Sequence, residues 1–113
     1  MKKLILAGLL VLIANVAQAQ AAPHSVTLNW TASTDGGLVT VYRAAGACST
    51  SSVFASITTG VAVNTYTDTT VTVGAFCYQV TTVVNGQESL PSNQVTARIL
   101  PQAPSALIVG ASQ

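Results

Sequence analysis

Charge is what this chain has least of. Of its 113 residues, 6% are Asp, Glu, Lys or Arg, and aromatic residues make up only 5%. Both lysines, Lys2 and Lys3, lie at the amino end; beyond them Arg43 and Arg98 stand against Asp35, Asp68 and Glu88. Without a basic patch a protein cannot release many counterions from a phosphate backbone, which excludes nucleic acid as a partner. The same lack removes any electrostatic footprint for anionic lipid. Beyond Lys3 there is no Lys to form a Lys–Asn isopeptide cross-link, and there is no Arg-Gly-Asp tripeptide. Histidine occurs once, as His24. It lies close to the amino terminus expected after processing, a poor place to hold a general base against a serine and an acid. Cys48, Cys77 and His24 have no zinc-site spacing, and Ser33-Thr34-Asp35-Gly36-Gly37 offers too few oxygens for calcium. No catalytic residue, cofactor or metal is expected.

The only long apolar run lies at the start. Met1-Lys2-Lys3 is followed by apolar residues from Leu4 to Ala17, broken only by Gly8 and Asn15, and then by Ala17-Gln18-Ala19. A cationic start, an apolar middle and a small-x-small end make a secretory signal peptide. The run is short of the ~20 residues a spanning helix needs. Residues 1–19 are therefore expected to be a cleaved leader of bacterial type, and the mature chain to be secreted or periplasmic without membrane insertion. A second site, Ala19-Gln20-Ala21, would move the cut by two residues, and the absence of a Cys after the run argues against a lipid anchor. Cleavage leaves 94 residues with two arginines against three acids, a formal charge of −1. That is enough chain for one modest core.

What remains is rich in Thr, Val, Ser and Ala. β-Branched side chains favour the pleated sheet, and no segment after residue 22 carries an apolar stripe at helical spacing. Residues 25–31 alternate, with Val26, Leu28 and Trp30 on one face. The turn cluster 32–37 leads to a strand over 38–44, with Val39 and Val41 opposite Thr40 and Tyr42. A loop over 45–51, a short strand over 52–57 and a turn over 58–64 come next, then 65–71, in which Tyr66 is expected to be buried. On the following strand Phe76, Tyr78, Val80, Thr82 and Val84 share a face, opposite Cys77, Gln79, Thr81 and Val83. Asn85-Gly86 is a strong signal for a type I′ hairpin turn. A last strand spans 93–99, preceded by Ser89-Leu90-Pro91-Ser92, where Pro91 suits only an irregular approach to a sheet edge. Six short strands at these intervals point to a sandwich.

The segments "SVTLNWTAS", "VTVYRA", "TYTDTTVTVG", "YQVTTVV" and "GQESLPSNQVTARI" resemble successive strands of a bacterial fibronectin type III domain over residues 25–99. The resemblance implies an all-β, immunoglobulin-like β-sandwich, with strands A, B and E in one sheet and C′, C, F and G in the other. The domain is expected over residues 24–100, with a Pro-containing tail over 101–113. Three departures stand out. Val39 replaces an aromatic on strand C. Phe76 replaces the corner tyrosine of strand F, so its hydroxyl is missing unless Tyr78 supplies one. Only a few residues precede strand B, so strand A is reduced or missing.

In that sandwich strands C and F pair antiparallel, which brings Cys48, just past the end of C, near Cys77 at the start of F. Export into an oxidising compartment makes a Cys48–Cys77 disulfide the expected outcome. The rival readings are a reactive thiol pair or two buried thiols, though neither Cys has a cationic sequence neighbour to lower its pKa. Asp35 and Asp68 lie in turn contexts that suit side-chain bonds to local backbone N–H groups, and Glu88 is expected to be solvated. The candidate binding surface is Tyr42, on the outer face of strand C, with Asn85, Gly86, Gln87 and Glu88 at the F–G tip. Asn29-Trp30-Thr31 matches a glycosylation sequon but lies within a strand. The resulting expectation is an exported, non-catalytic module for adhesion, binding or spacing, whose partner is an extracellular protein or glycan. The alternative is a structural assembly subunit, or a fragment of a larger surface protein. The apolar stretch Ala106–Val109 is expected either to fill the vacant A position or to pair with another chain, since left exposed it would be an aggregation hazard.

Overall fold

The computed structural model describes residues 24–110. Alternation in the first strand is realised as β1 (Val26–Asn29), which buries Val26 and Leu28 completely and leaves Asn29 exposed. β2 (Leu38–Ala45), β3 (Ala55–Val61), β4 (Thr65–Asp68), β5 (Gly74–Val84), β6 (Gln87–Glu88) and β7 (Val95–Ile99) follow. β1 pairs with β4 in one antiparallel sheet, while β3, β2 and β5 form the other with β6 and β7 both along the far side of β5. This is an all-β, fibronectin type III-like sandwich in which one sheet is not fully closed. Between the sheets lie Val26, Leu28 and Trp30 from one side and Val39, Val41, Tyr78, Val80, Ala97 and Ile99 from the other. Each such side chain contributes roughly 1.5–3 kcal/mol on burial. Tyr66 packs against this cluster but is only half-buried.

The third strand is displaced from its expected place. Residues 52–54 lie outside it, and most of the expected turn over 58–64 belongs to it. The cause is a knot of serine hydroxyls. Ser49 N–H donates to Ser52 Oγ at 2.9 Å, Ser51 N–H to Ser49 Oγ at 3.1 Å, and Ser52 N–H to the Ser49 carbonyl at 3.2 Å. Such local bonds satisfy the backbone in a turn and compete with a ladder. Pairing with β2 resumes at Arg43↔Ala55 and reaches Val39↔Val61 across two irregularities. The one between Val39↔Val61 and Val41↔Thr58 accommodates Gly60, whose φ is +69°.

The Ser-Leu-Pro-Ser join resolves cleanly. Ser89 N–H donates to the Thr82 carbonyl at 2.8 Å while Ser89 Oγ accepts the Thr82 N–H at 2.9 Å. Ser92 repeats the arrangement on Val80, at 2.8 and 3.0 Å. Two serines thus stand in for a strand along β5 between β6 and β7, so Pro91 costs the sheet no buried orphan.

Cys48 and Cys77 form a disulfide with Cα atoms 4.8 Å apart. Ala44, Cys77 and Thr96 are cross-strand neighbours on the outer face, and Cys48 N–H donates to Thr96 Oγ1 at 3.0 Å. The loop after β2 is thereby held over that face, and Cys77 is fully buried although it points away from the core.

Of the two places expected for the tail, the structure bears on one. Residues 100–110 form no strand, and Leu107, Ile108 and Val109 are 96%, 82% and 87% exposed. Ala106–Val109 does not fill the vacant position beside β1. Among the described residues only β4 pairs with β1.

Candidate binding surface

Asn85 and Gly86 take positive φ, +50° and +77°, which gives the hairpin the twist of its strands. The turn sets Glu88 opposite Val83 and Gln87 opposite Val84. Glu88 consequently shares the outer face with Thr81 and Tyr42. Thr81 Oγ1 donates to Glu88 Oε2 at 2.6 Å, and the Tyr42 hydroxyl donates to the same oxygen. Glu88 is exposed, in line with the expectation of a solvated side chain, and is also held in place by these two hydroxyls. The Thr81 hydroxyl, then the Tyr42 hydroxyl, hold its carboxyl below the usual range. In return the Glu88 bond raises the pKa of the Tyr42 phenol. Tyr42 is half-buried rather than freely displayed, with its hydroxyl committed to the hairpin. Asn85, Gly86 and Gln87 are exposed at the tip.

The loop between β1 and β2 approaches this hairpin closely. Gly37 has φ +97°, and a Cβ there would lie 2.5 Å from the Val83 carbonyl oxygen and 2.6 Å from Val84 Cγ2, so only glycine fits. Ser33 shapes the loop by accepting the Asp35 N–H on its hydroxyl at 3.1 Å and the Gly36 N–H on its carbonyl at 3.1 Å. Between loop and hairpin lies an open cleft of about 230 Å³, lined by Ser33 and Asp35, by Thr82 and Val84 of β5, and by Gln87 and Glu88. Two of the five expected surface residues, Gln87 and Glu88, line one side of this cleft; Asn85 and Gly86 form the turn before them, and Tyr42 bonds Glu88 from the adjoining face. Ser33, Asp35 and Thr82 escaped sequence reasoning because nothing local ties 33–35 to 87–88; only the close approach at Gly37 does so.

A second polar cluster lies inside the sandwich. Asp68, 1% exposed at the end of β4, accepts the Tyr78 hydroxyl at 2.7 Å and Arg43 Nη1 at 2.8 Å on Oδ2. On Oδ1 it accepts the Thr70 N–H at 3.0 Å and the Thr70 hydroxyl at 2.7 Å. Arg43 also donates to Thr70 Oγ1 at 2.8 Å, and its guanidinium lies 5.4 Å from the Phe76 ring centre. Asp68 does make the local turn bond expected of it, but it is chiefly the ion-pair partner that ties the two sheets. Burial works to raise its pKa; the bonds from Tyr78, Thr70 and Arg43 outweigh this and hold it low. With both carboxylate oxygens bonded, Oδ2 by two side chains of the opposite sheet, this cluster acts as a structural lock. Among the described residues no three His, Cys, Asp or Glu side chains converge on a possible metal position.

Comparisons agree with this architecture. An Fn3-like protein from Clostridium thermocellum superposes with a TM-score of 0.59 at 27% identity, over 72% of this chain and 81% of that one. The fibronectin type III domain of human fibronectin type III domain containing protein 3 gives 0.50 at 17% identity, over 69% and 74%. A fibronectin type III domain derived from the human KIAA0970 protein gives 0.58 at 15% identity, over 97% and 89%. No protein-family model and no curated protein matches the chain. The fold is that of a fibronectin type III-like β-sandwich.

Proposed function

We propose that this chain is an exported bacterial binding module of the cell envelope or extracellular space. In this reading the cleft between the β1–β2 loop and the β5–β6 hairpin is its contact surface. One observation carries it: the Glu88 carboxylate is fixed by two hydroxyls beside a cleft lined by further polar groups. Both hydroxyls fall on Oε2, which leaves Oε1 as an acceptor whose position is already set. Such preorganisation lowers the ordering cost of binding. The polar groups around it, Ser33, Asp35, Thr82 and Gln87, mix donors and acceptors over the apolar Val84. A chain of so little net charge, presenting hydroxyl, amide and carboxylate groups, suits a neutral polyhydroxylated ligand, an envelope glycan. The leader pattern of residues 1–19 and the Cys48–Cys77 disulfide support export.

Co-sedimentation with purified envelope polysaccharide tests the reading, using the chain from Gln20 onward. Glu88→Gln removes the charge at an exposed position and should weaken retention about tenfold, the equivalent of one charge-assisted hydrogen bond. Retention unchanged in Glu88→Gln and Gln87→Ala, or no retention of the unaltered chain, refutes it.

A further inference from the structure

Among the described residues, the outer edge of β1 and the segment after β7 each pair with no strand, and they match. β1 uses one edge to pair with β4, and among the described residues no strand pairs with the other. An open edge is a template for a foreign strand, and proteins blunt it with Lys, Pro, inward charges or bulges. Residues 24–31, His-Ser-Val-Thr-Leu-Asn-Trp-Thr, contain no Lys, Arg, Asp, Glu or Pro, and the β1–β4 register is regular throughout. The second part is Leu107-Ile108-Val109, three exposed residues of high β-propensity in a segment, 100–110, that carries no charge at all. Four residues from Leu107 to Gly110 equal the four of β1.

Topology decides whose tail can fill whose edge. The first residue of β1, Val26, faces Asp68 at the end of β4, and the last of β7, Ile99, faces Gly74 at the start of β5. Residues 68 and 74 are joined by a short link, so the tail leaves from the end of the sandwich at which β1 begins. To lie along its own β1 the tail would have to reverse and then run parallel to it, the weaker pairing. Pro101 and Pro104 restrict the backbone between β7 and Leu107 and favour an extended course rather than a reversal. A tail arriving from the opposite end of the sandwich runs antiparallel to β1 without any reversal. Only another molecule can supply it.

We propose that residues 107–110 of one copy add as an antiparallel strand to the free edge of β1 in a second copy, completing its two-stranded sheet. Every copy is both donor and acceptor, and the contact is heterologous. Association through it closes when two copies exchange tails reciprocally, and otherwise extends head to tail into larger rings or linear oligomers.

The test uses the chain from Gln20 onward in sedimentation equilibrium across a concentration series. The unaltered chain should gain mass with concentration. The variant Leu107→Asp/Val109→Asp should stay monomeric with an unchanged melting temperature, because both side chains are exposed in the monomer. That variant, labelled with ¹⁵N, is then titrated with a synthetic peptide of residues 101–113. Shifted amides over Val26–Asn29 are the expected result. A monomeric unaltered chain, a variant that associates as before, or shifts confined to another open edge, Thr65–Asp68 of β4 or Ala55–Val61 of β3, overturns the proposal.

Discussion

Tyr78 and Asp68 meet between the sheets, phenol to carboxylate at 2.7 Å, although one residue lies on β5 and the other at the end of β4. Arg43 is the cross-strand partner of Tyr78 and converges on the same oxygen. Tyr78 therefore supplies the hydroxyl missing at Phe76, and spends it on a side chain between the two sheets. Asp68→Ala should cost about 3–5 kcal/mol, because it strands a partly buried guanidinium and a buried phenol together. Tyr78→Phe removes a single bond to a charged group and should cost about 1.5–3 kcal/mol. Urea denaturation orders the two, and equal losses would contradict the lock.

The same cluster sets the dependence of stability on pH. Asp68 has a folded pKa below its ordinary 3.8. Its contribution is complete above that value and is lost as pH falls through the lower folded one. Burial, then the Asp68 carboxylate, pushes the Tyr78 phenol well above its ordinary 10.0. Its contribution is complete below that value and is lost as pH rises through the higher folded one. Melting temperature should hold a plateau between about pH 5 and 9 and fall at both ends. Tyr78→Phe should flatten the alkaline fall; a fall of unchanged steepness would assign it elsewhere.

The disulfide closes 29 residues of chain. In the chain-entropy account a loop of that size is worth about 3–4 kcal/mol. Cys48→Ala/Cys77→Ala should lower the urea midpoint accordingly and leave the β-sheet circular dichroism of the folded state in place. A loss below ~1 kcal/mol would show that the loop over β5 is held by other contacts, with Cys48 N–H to Thr96 the first candidate.

Ser92, 8% exposed, gives Val80 both an acceptor and a donor. Ser92→Ala leaves the buried Val80 N–H unpaired and should cost about 1–3 kcal/mol, with faster hydrogen exchange at that amide. Ser89→Ala, at a half-buried position where water can substitute, should cost less. The reverse order would count against serine acting as a strand surrogate.

Much of this fold was legible in the residue pattern. Period-two alternation placed β1, β2 and β5, Asn85-Gly86 placed the hairpin, and strand pairing placed the disulfide. The third strand was misplaced because Ser49, Ser51 and Ser52 satisfy one another's backbone, a preference that β-propensity does not register. The Asp68 lock was half visible: alternation from Val39 and Val41 puts Arg43 on the inward face, and an inward arginine demands a counter-ion. Which acid serves depends on the packing of one sheet on the other. Glu88 was rightly read as solvated, but its partners Thr81 and Tyr42 went unseen, because they become its neighbours only once β2, β5 and the hairpin lie side by side. The tail was read from its composition, which gives its appetite for a strand but not whose edge it meets.

The claim that the β1–β2 loop and the β5–β6 hairpin form the contact surface is tested most directly by amide shift mapping. The ¹⁵N-labelled chain is titrated with soluble fragments of envelope polysaccharide. The account predicts saturable shifts at Ser33 to Asp35, Tyr42 and Asn85 to Glu88, reduced in Glu88→Gln. Shifts clustered elsewhere on the sandwich, or none up to the solubility of the glycan, would contradict it.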